Sequence, residues 1–326
     1  MKAIVIEAHG GPEKLVLREV PDPEPKPGHV VIAVKAFGVN HAEAHMRRGE
    51  WPESMPISGI ECAGVVKVDP DGRFVPGQKV MALMGGMGRT IDGSYAEYTS
   101  VPATNVVRIE TTLPWTTLAA IPESYATAWT CLFGNLDLQP GQTLVVRGAT
   151  SALGQAAVNI AANADVQVIA TTRKAERFAS LEAIGARGTM HEIPGLAERL
   201  REHRPNGVDA VLDLVGNSAV LESLTLVRRG GRVCEAGWLG GLAPIASFNP
   251  MLQMPSGVHF SLFGSFMFGS PEFPLSAVPL QTIVDKVASG VYKAGPARVF
   301  RFDEIRDAHR LMESGASNGK IVVDVA

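Results

Sequence analysis

Apolar and polar positions follow one period in the first third of the chain and another in the middle. Up to about residue 122, short runs rich in apolar and β-branched residues are cut off by Pro and Gly, at 2–7, 15–20, 29–37, 64–69, 78–83 and 94–101. Runs of that length bounded by turn residues predict strands, and together they predict a small barrel-like domain. From about residue 125 the pattern changes: apolar strands at 143–147, 166–171, 208–214, 231–236 and 258–264 alternate with segments of helical period at 151–163, 174–184, 195–203 and 217–228. That alternation predicts an α/β domain built on a doubly wound parallel sheet. The tail predicts a helix at 275–289, a strand at 298–302, an amphipathic helix at 303–314 and a closing strand at 319–325. The resulting division is a barrel at 1–122, completed by 280–326, and a sheet domain at 123–279.

The first strand of the sheet domain runs into a turn of small residues, Gly148-Ala149-Thr150-Ser151-Ala152-Leu153-Gly154, and an Ala-rich helix follows at once. A turn without bulky side chains lets backbone amides approach an anion, and the helix start presents its positive end to the same place, as in the Rossmann arrangement for a dinucleotide pyrophosphate. Ala149 and Ala152 stand where further glycines would complete the usual Gly-rich fingerprint. The second strand, Val166 to Thr172, ends where such a unit meets the adenosine ribose. Here the chain offers Arg173, Lys174 and Arg177 and no carboxylate. A carboxylate would repel a 2′-phosphate, whereas these cations attract one, so the expected cofactor is NADPH. The other reading is a basic, solvated helix face, which the macrodipole disfavours slightly at a helix start.

Composition narrows the partners. The chain has 326 residues, with 46% hydrophobic and 19% charged, enough for one large or two medium domains with ample core. A net charge of −3 without a basic run gives a nucleic-acid partner no electrostatic support. No uninterrupted apolar stretch reaches the roughly 18 residues of a membrane span, and the first residues read as a strand, so the expectation is a cytoplasmic protein with no membrane partner. Cys62, Cys131 and Cys234 are far apart among apolar neighbours, which predicts buried free thiols. His41 and His45 stand four residues apart, a metal-compatible spacing on a helix. No third ligand accompanies them and Glu43 is misplaced for a metalloprotease, so the segment is read as lining a cleft edge.

The order of parts resembles the medium-chain dehydrogenase/reductase family, and within it the zinc-independent quinone oxidoreductase branch. The resemblance rests on His9-Gly-Gly-Pro-Glu-Lys-Leu15, Gly38-Val-Asn40, Gly59-Ile-Glu61-Cys-Ala-Gly64, Gly93-Ser-Tyr-Ala-Glu-Tyr98, Asp213-Leu-Val-Gly216 and Gly319-Lys320-Ile-Val, in that order around the cofactor turn. It implies a GroES-like barrel beside the Rossmann domain. Zinc-dependent relatives carry a Cys where this chain has Asn40 and a His where it has Ile60; an amide and an isobutyl group cannot replace those ligands, so no metal is expected although Glu61 remains. By the same resemblance Asn40 and Thr127 flank the nicotinamide, Val215, Gly216 and Gly237 allow its close approach, and Asn318 and Lys320 lean in from the tail.

The implied reaction is hydride transfer to a quinone or an α,β-unsaturated carbonyl, whose charge delocalises onto oxygen and needs only a hydrogen-bond donor and a solvent proton. Candidate donors are Asn40, His45 and Tyr125; Tyr125 reads equally as a core aromatic. His45, Trp51 and Phe263 are expected at the substrate. The aromatic run from Phe260 to Phe268 is either core or, as in relatives, an edge strand that pairs two subunits into a homodimer. Two alternatives stay open: an enoyl-thioester reductase of the same fold, for which Arg47 and Arg48 would form a basic mouth, and a non-catalytic NADPH-binding protein.

Overall fold

In the computed structural model, which describes residues 1–325, the two periods of the sequence become two large sheets. Strands β1 (Lys2–Ile6), β2 (Leu15–Glu19), β3 (His29–Val39), β4 (Glu61–Val68), β5 (Lys79–Leu83), β6 (Tyr98–Pro102) and β7 (Val106–Arg108) come first. Strands β8 (Thr143–Arg147), β9 (Gln167–Thr172), β10 (Gly188–His191), β11 (Val208–Asp213), β12 (Val227–Glu235) and β13 (His259–Leu262) follow, and β14 (Pro296–Arg301) and β15 (Lys320–Asp324) close the chain. One compact unit holds Met1–Ala126 together with the chain from Ser265 onward; the other is Thr127–Gly264.

The barrel unit's large sheet runs β14-β15-β3-β4-β5-β7, with β6 also on β3 and β1 paired to β2. Strand β15 lies antiparallel to β3, with Ile321 opposite Val39. That register brings Lys320 to the end of β3, where Asn40 begins the next helix. Alternate side chains of the strands build a core around Ile4, Leu15, Ile32, Val80 and Tyr95, and Phe37 stacks on Tyr95 at 4.5 Å. The helix Ile305–Glu313 buries Ile305, Ala308, His309 and Met312, one helical face, against this core. His309 is fully buried, its Nδ1 3.1 Å from Arg47 Nη1 and its Nε2 3.0 Å from Tyr95 Oη. A guanidinium has no acceptor, so Nδ1 accepts and the ring is neutral. Burial, reinforced by Arg47, holds its pKa down to about 3.

The nucleotide unit's sheet has the order β10-β9-β8-β11-β12-β13 with every neighbouring pair parallel, so the order reverses between β8 and β11. Its helices bury Leu196, Leu200 and Leu224 against Val145, Val211 and Val233. Several elements differ from the sequence expectation. Strands β7 and β10 were not anticipated, having only three and four residues. The helix expected at 217–228 is Val220–Leu226, because the chain returns to strand at Val227. The helix expected at 275–289 is a 3-10 turn, Leu275–Ala277, then Leu280–Ala288; Pro279 between them cannot continue a helix ladder. Residues 265–279, read from sequence as part of the sheet domain, pack with the barrel unit, where Asn105 Nδ2 donates to Phe268 O at 2.8 Å. No helix among the described residues is long and apolar enough to cross a membrane.

Candidate functional site

The turn after β8 is built by its smallest residues. Gly148 has φ 75°, a left-handed conformation that favours glycine. A Cβ on Gly154 would lie 2.5 Å from Gly148 O, so the helix can begin this close to the strand only without a side chain there. Ser151 caps the helix Ala152–Ala162, its Oγ accepting from Gly154 N at 3.0 Å and donating to Gly148 O at 2.9 Å. Helix geometry leaves the first-turn amides of Ala152 and Leu153 without intrahelical acceptors, beside the macrodipole's positive end. Ala149 N instead bonds Thr171 O at 3.1 Å, tying the turn to β9.

Directly beneath the turn, Arg147 is buried with only 3% of its side chain exposed. It donates to Glu192, to Glu222 Oε2 at 2.9 Å, to Ser223 Oγ at 2.9 Å and to Ala219 O at 3.0 Å. Ser223 in turn donates to Asp213 Oδ2 at 2.6 Å. Past β9, Arg173 and Lys174 are exposed and Arg177 is half-buried in the short turn before the next helix. The amides of Val215 and Gly216 are both bonded to Asp213 Oδ1, at 2.8 and 3.0 Å. A Cβ on Gly216 would come 2.6 Å from Gly237 O, and one on Gly237 would come 2.9 Å from Leu214 O, so neither position has room for a side chain. Thr127 is buried in the helix Pro122–Trp129, and Phe263 is buried after β13, its amide bonded to Glu235 O at 2.9 Å.

In the barrel unit the structure brings Glu61 and Lys320, from distant parts of the chain, to Asn40 and Glu43 at one helix start. Glu61 is fully buried and Lys320 is 4% exposed, and their side chains form an ion pair. Lys320 Nζ also donates to Asn40 Oδ1 at 2.5 Å. Asn40 Nδ2 donates to Glu61 Oε1 at 2.9 Å and to Glu43 Oε1 at 3.3 Å, so the amide is engaged on every side. Glu61 Oε2 accepts from Glu123 N at 2.8 Å. Glu43 reaches back to the amide of Asn40 at 2.7 Å and accepts from Ile60 N at 3.1 Å; burial pushes its carboxyl up to about 7, against the pull of Lys320. A Cβ on Gly38 would collide with both the Glu61 carboxylate and the Lys320 stem. Sequence reasoning placed Lys320 loosely and missed Glu43. The signal was present in Asn40-His-Ala-Glu43, a helix-start pattern in which a Glu three residues on bonds the cap's amide.

The remaining candidates are dispersed. The segment read as lining a cleft edge is the helix His41–Arg48. His45 bonds Glu50 Oε2 through Nδ1 at 2.5 Å and stacks on Trp51, ring centroids 5.3 Å apart. Tyr125 is buried and stacked on Tyr292 at 5.8 Å, and burial raises its hydroxyl's pKa above the usual range. Asn318 sits at φ 48° just before β15 with its Oδ1 buried and unpartnered. Arg47 is 1% exposed and bonds Gly10 O and Glu313, and Arg48, 40% exposed, also pairs with Glu313.

Two family models match the chain, an alcohol dehydrogenase GroES-like domain over residues 26–111 and a zinc-binding dehydrogenase over residues 191–323. Quinone oxidoreductase of Homo sapiens is 27% identical over 334 residues, spanning 99% of this chain and 97% of its own. Among solved structures, an NAD-dependent alcohol dehydrogenase matches at 27% identity and TM-score 0.84, with all of both chains covered. Escherichia coli quinone oxidoreductase complexed with NADPH matches at TM-score 0.87 and 22% identity, again over all of both chains, a likeness of fold.

Proposed function

We propose that this chain, which belongs to the medium-chain dehydrogenase/reductase family in its zinc-independent, quinone oxidoreductase-like branch, uses NADPH to reduce a quinone or an α,β-unsaturated carbonyl without a metal. The observation that carries the reading is the Lys320 ammonium held against Glu61 and Asn40. The carboxylate that the resemblance retains, Glu61, here receives its positive charge from the chain itself.

The nucleotide unit fits the cofactor. The Gly148–Gly154 cradle admits no further Cβ at Gly154, the Ala152 and Leu153 amides are placed for a pyrophosphate, and Arg173 and Lys174 suit a 2′-phosphate. When bound, NADPH supplies the hydride. The protein's part is to hold and orient. Asn40, with its amide engaged by Lys320, Glu61 and Glu43, serves as a positioning residue rather than a proton donor. Tyr125, buried on Tyr292, belongs to the packing. The acceptor's oxygen then takes its proton from water, which suits conjugated acceptors and not simple ketones. The same reading pairs two subunits through β13, an edge strand that leaves Phe260 and Leu262 exposed at 40% and 54%, and places the protein in the cytoplasm.

Replacing Arg173 and Lys174 together by Ala should weaken NADPH binding by about tenfold or more while leaving NADH binding within about twofold. Titration of both nucleotides by fluorescence measures this. Equal loss for the two would refute the 2′-phosphate role. Oxidation of NADPH by a simple 1,4-quinone in the presence of a chelator tests the reaction, with a 2-enoyl thioester as the competing substrate.

A further inference from the structure

One buried side chain of the nucleotide unit stands on the seam of its sheet. The six strands form two halves, β10-β9-β8 and β11-β12-β13, that meet where the strand order reverses. In a sheet of this kind each half receives one mononucleotide, and the dinucleotide lies across the seam. Arg147 ends β8 directly opposite Asp213 at the end of β11, so it occupies the seam at the edge where a dinucleotide would lie.

A guanidinium has five N–H donors, and here every one of them has an acceptor. Nε, at 3.2 Å, and one Nη2 hydrogen go to Glu192, which follows β10 in the first half. The other Nη2 hydrogen goes to Glu222 Oε2 at 2.9 Å, and Nη1 donates to Ser223 Oγ at 2.9 Å and Ala219 O at 3.0 Å, all in the second half. Neither half could satisfy the group alone. Each arm then leads to backbone at the strand ends. Glu192 also accepts from Thr171 Oγ1, and Thr171 O holds the Ala149 amide of the pyrophosphate turn at 3.1 Å. On the other side Ser223 donates to Asp213 Oδ2 at 2.6 Å, while Asp213 Oδ1 holds the amides of Val215 and Gly216. With 3% of its side chain exposed, Arg147 lies beneath the crevice surface, and what its filled planar fork supplies is fixed spacing between the two halves.

We propose that Arg147 is the positioning residue that sets the two mononucleotide halves against each other, and so governs affinity for the intact dinucleotide and not for either half alone. The inference rests on the nucleotide-binding reading above. Two linked fragments gain from their linkage only where both sites lie at the spacing the link allows, so a loosened seam forfeits that gain while each half still takes its own fragment.

Isothermal titration calorimetry compares NADPH with adenosine 2′,5′-bisphosphate, which reaches the first half only. Arg147→Lys should weaken NADPH by about tenfold or more and the bisphosphate by less than about twofold. Ser223→Ala, which keeps both carboxylate pairs, should show the same pattern at about threefold for NADPH. A loss of folded protein alone would lower the titrated stoichiometry and leave the affinity ratio of the two ligands unchanged. Equal weakening of both ligands, or no weakening of either, overturns the proposal; should Arg147→Lys fail to fold, Ser223→Ala decides by the same criterion. NADH and 5′-AMP form a second pair. Wild-type protein that binds NADH as tightly as NADPH sinks the 2′-phosphate reading, and the inference then stands if Arg147→Lys separates NADH from 5′-AMP in the same way. Wild-type protein that binds neither dinucleotide overturns both.

Discussion

Arg147 and Lys320 are both buried, one in each unit, and the two are held in contrasting ways. Arg147 in the nucleotide unit spends its planar fork on two carboxylates, a hydroxyl and a backbone carbonyl drawn from separate elements. Lys320 in the barrel unit is a compact charge with two partners, Asn40 and Glu61, in a space so tight that Gly38 has no room for a Cβ. A guanidinium cannot be satisfied by few partners, nor can an ammonium join many. Arg147 is accordingly a clamp that fixes the elements beneath the cofactor turn. Lys320 is a counter-charge, and its site is defined by exclusion of everything larger.

The contrast can be broken most forcefully at Arg147. Arg147→Met leaves Glu192 and Glu222 without their shared cation and should cost about 3–5 kcal/mol in a denaturation series. Arg147→Lys should recover little of it, and full recovery would show that charge, not the fork, matters. Next in size, Gly38→Ala should cost about 1–3 kcal/mol by forcing Lys320 and Glu61 apart. Were Gly38→Ala neutral in the same measurement, the exclusion argument would fall. The smallest effect concerns pH. Glu235 lies in register with Asp213, buried and with one carboxylate oxygen unpartnered. Burial first, and Asp213 second, push its carboxyl up to about 7 from an ordinary 4.5. A raised carboxyl contributes stability that is full below 4.5 and is lost as pH climbs through about 7. Glu235→Gln should therefore lessen the fall in denaturation midpoint across that window and be the more stable form above it; an unchanged profile would rule this out.

Much of the fold could be read from residue patterns because local periodicity follows local structure. The run 143–164 announced its strand, turn and helix, and Gly148 and Gly154 do in the structure what the turn required of them. Short elements escaped for the converse reason: three residues at Val106–Arg108 are too few to show a period. The site was less legible. Asn40 and Lys320 stood out one at a time, but their contact joins positions 280 residues apart and depends on the pairing of β15 with β3. Spacing drew attention to His41 and His45 on the helix that starts at Asn40, while the residue that organises that helix start is Glu43, between them.

Because Lys320 rides on β15, the barrel is completed by chain that follows residues 127–264 in sequence. On the ribosome, Glu61 emerges long before the strand that will neutralise it, so this ion pair forms only after residues 127–264 have been synthesised. Maturation of one lobe is thus timed by the making of the other.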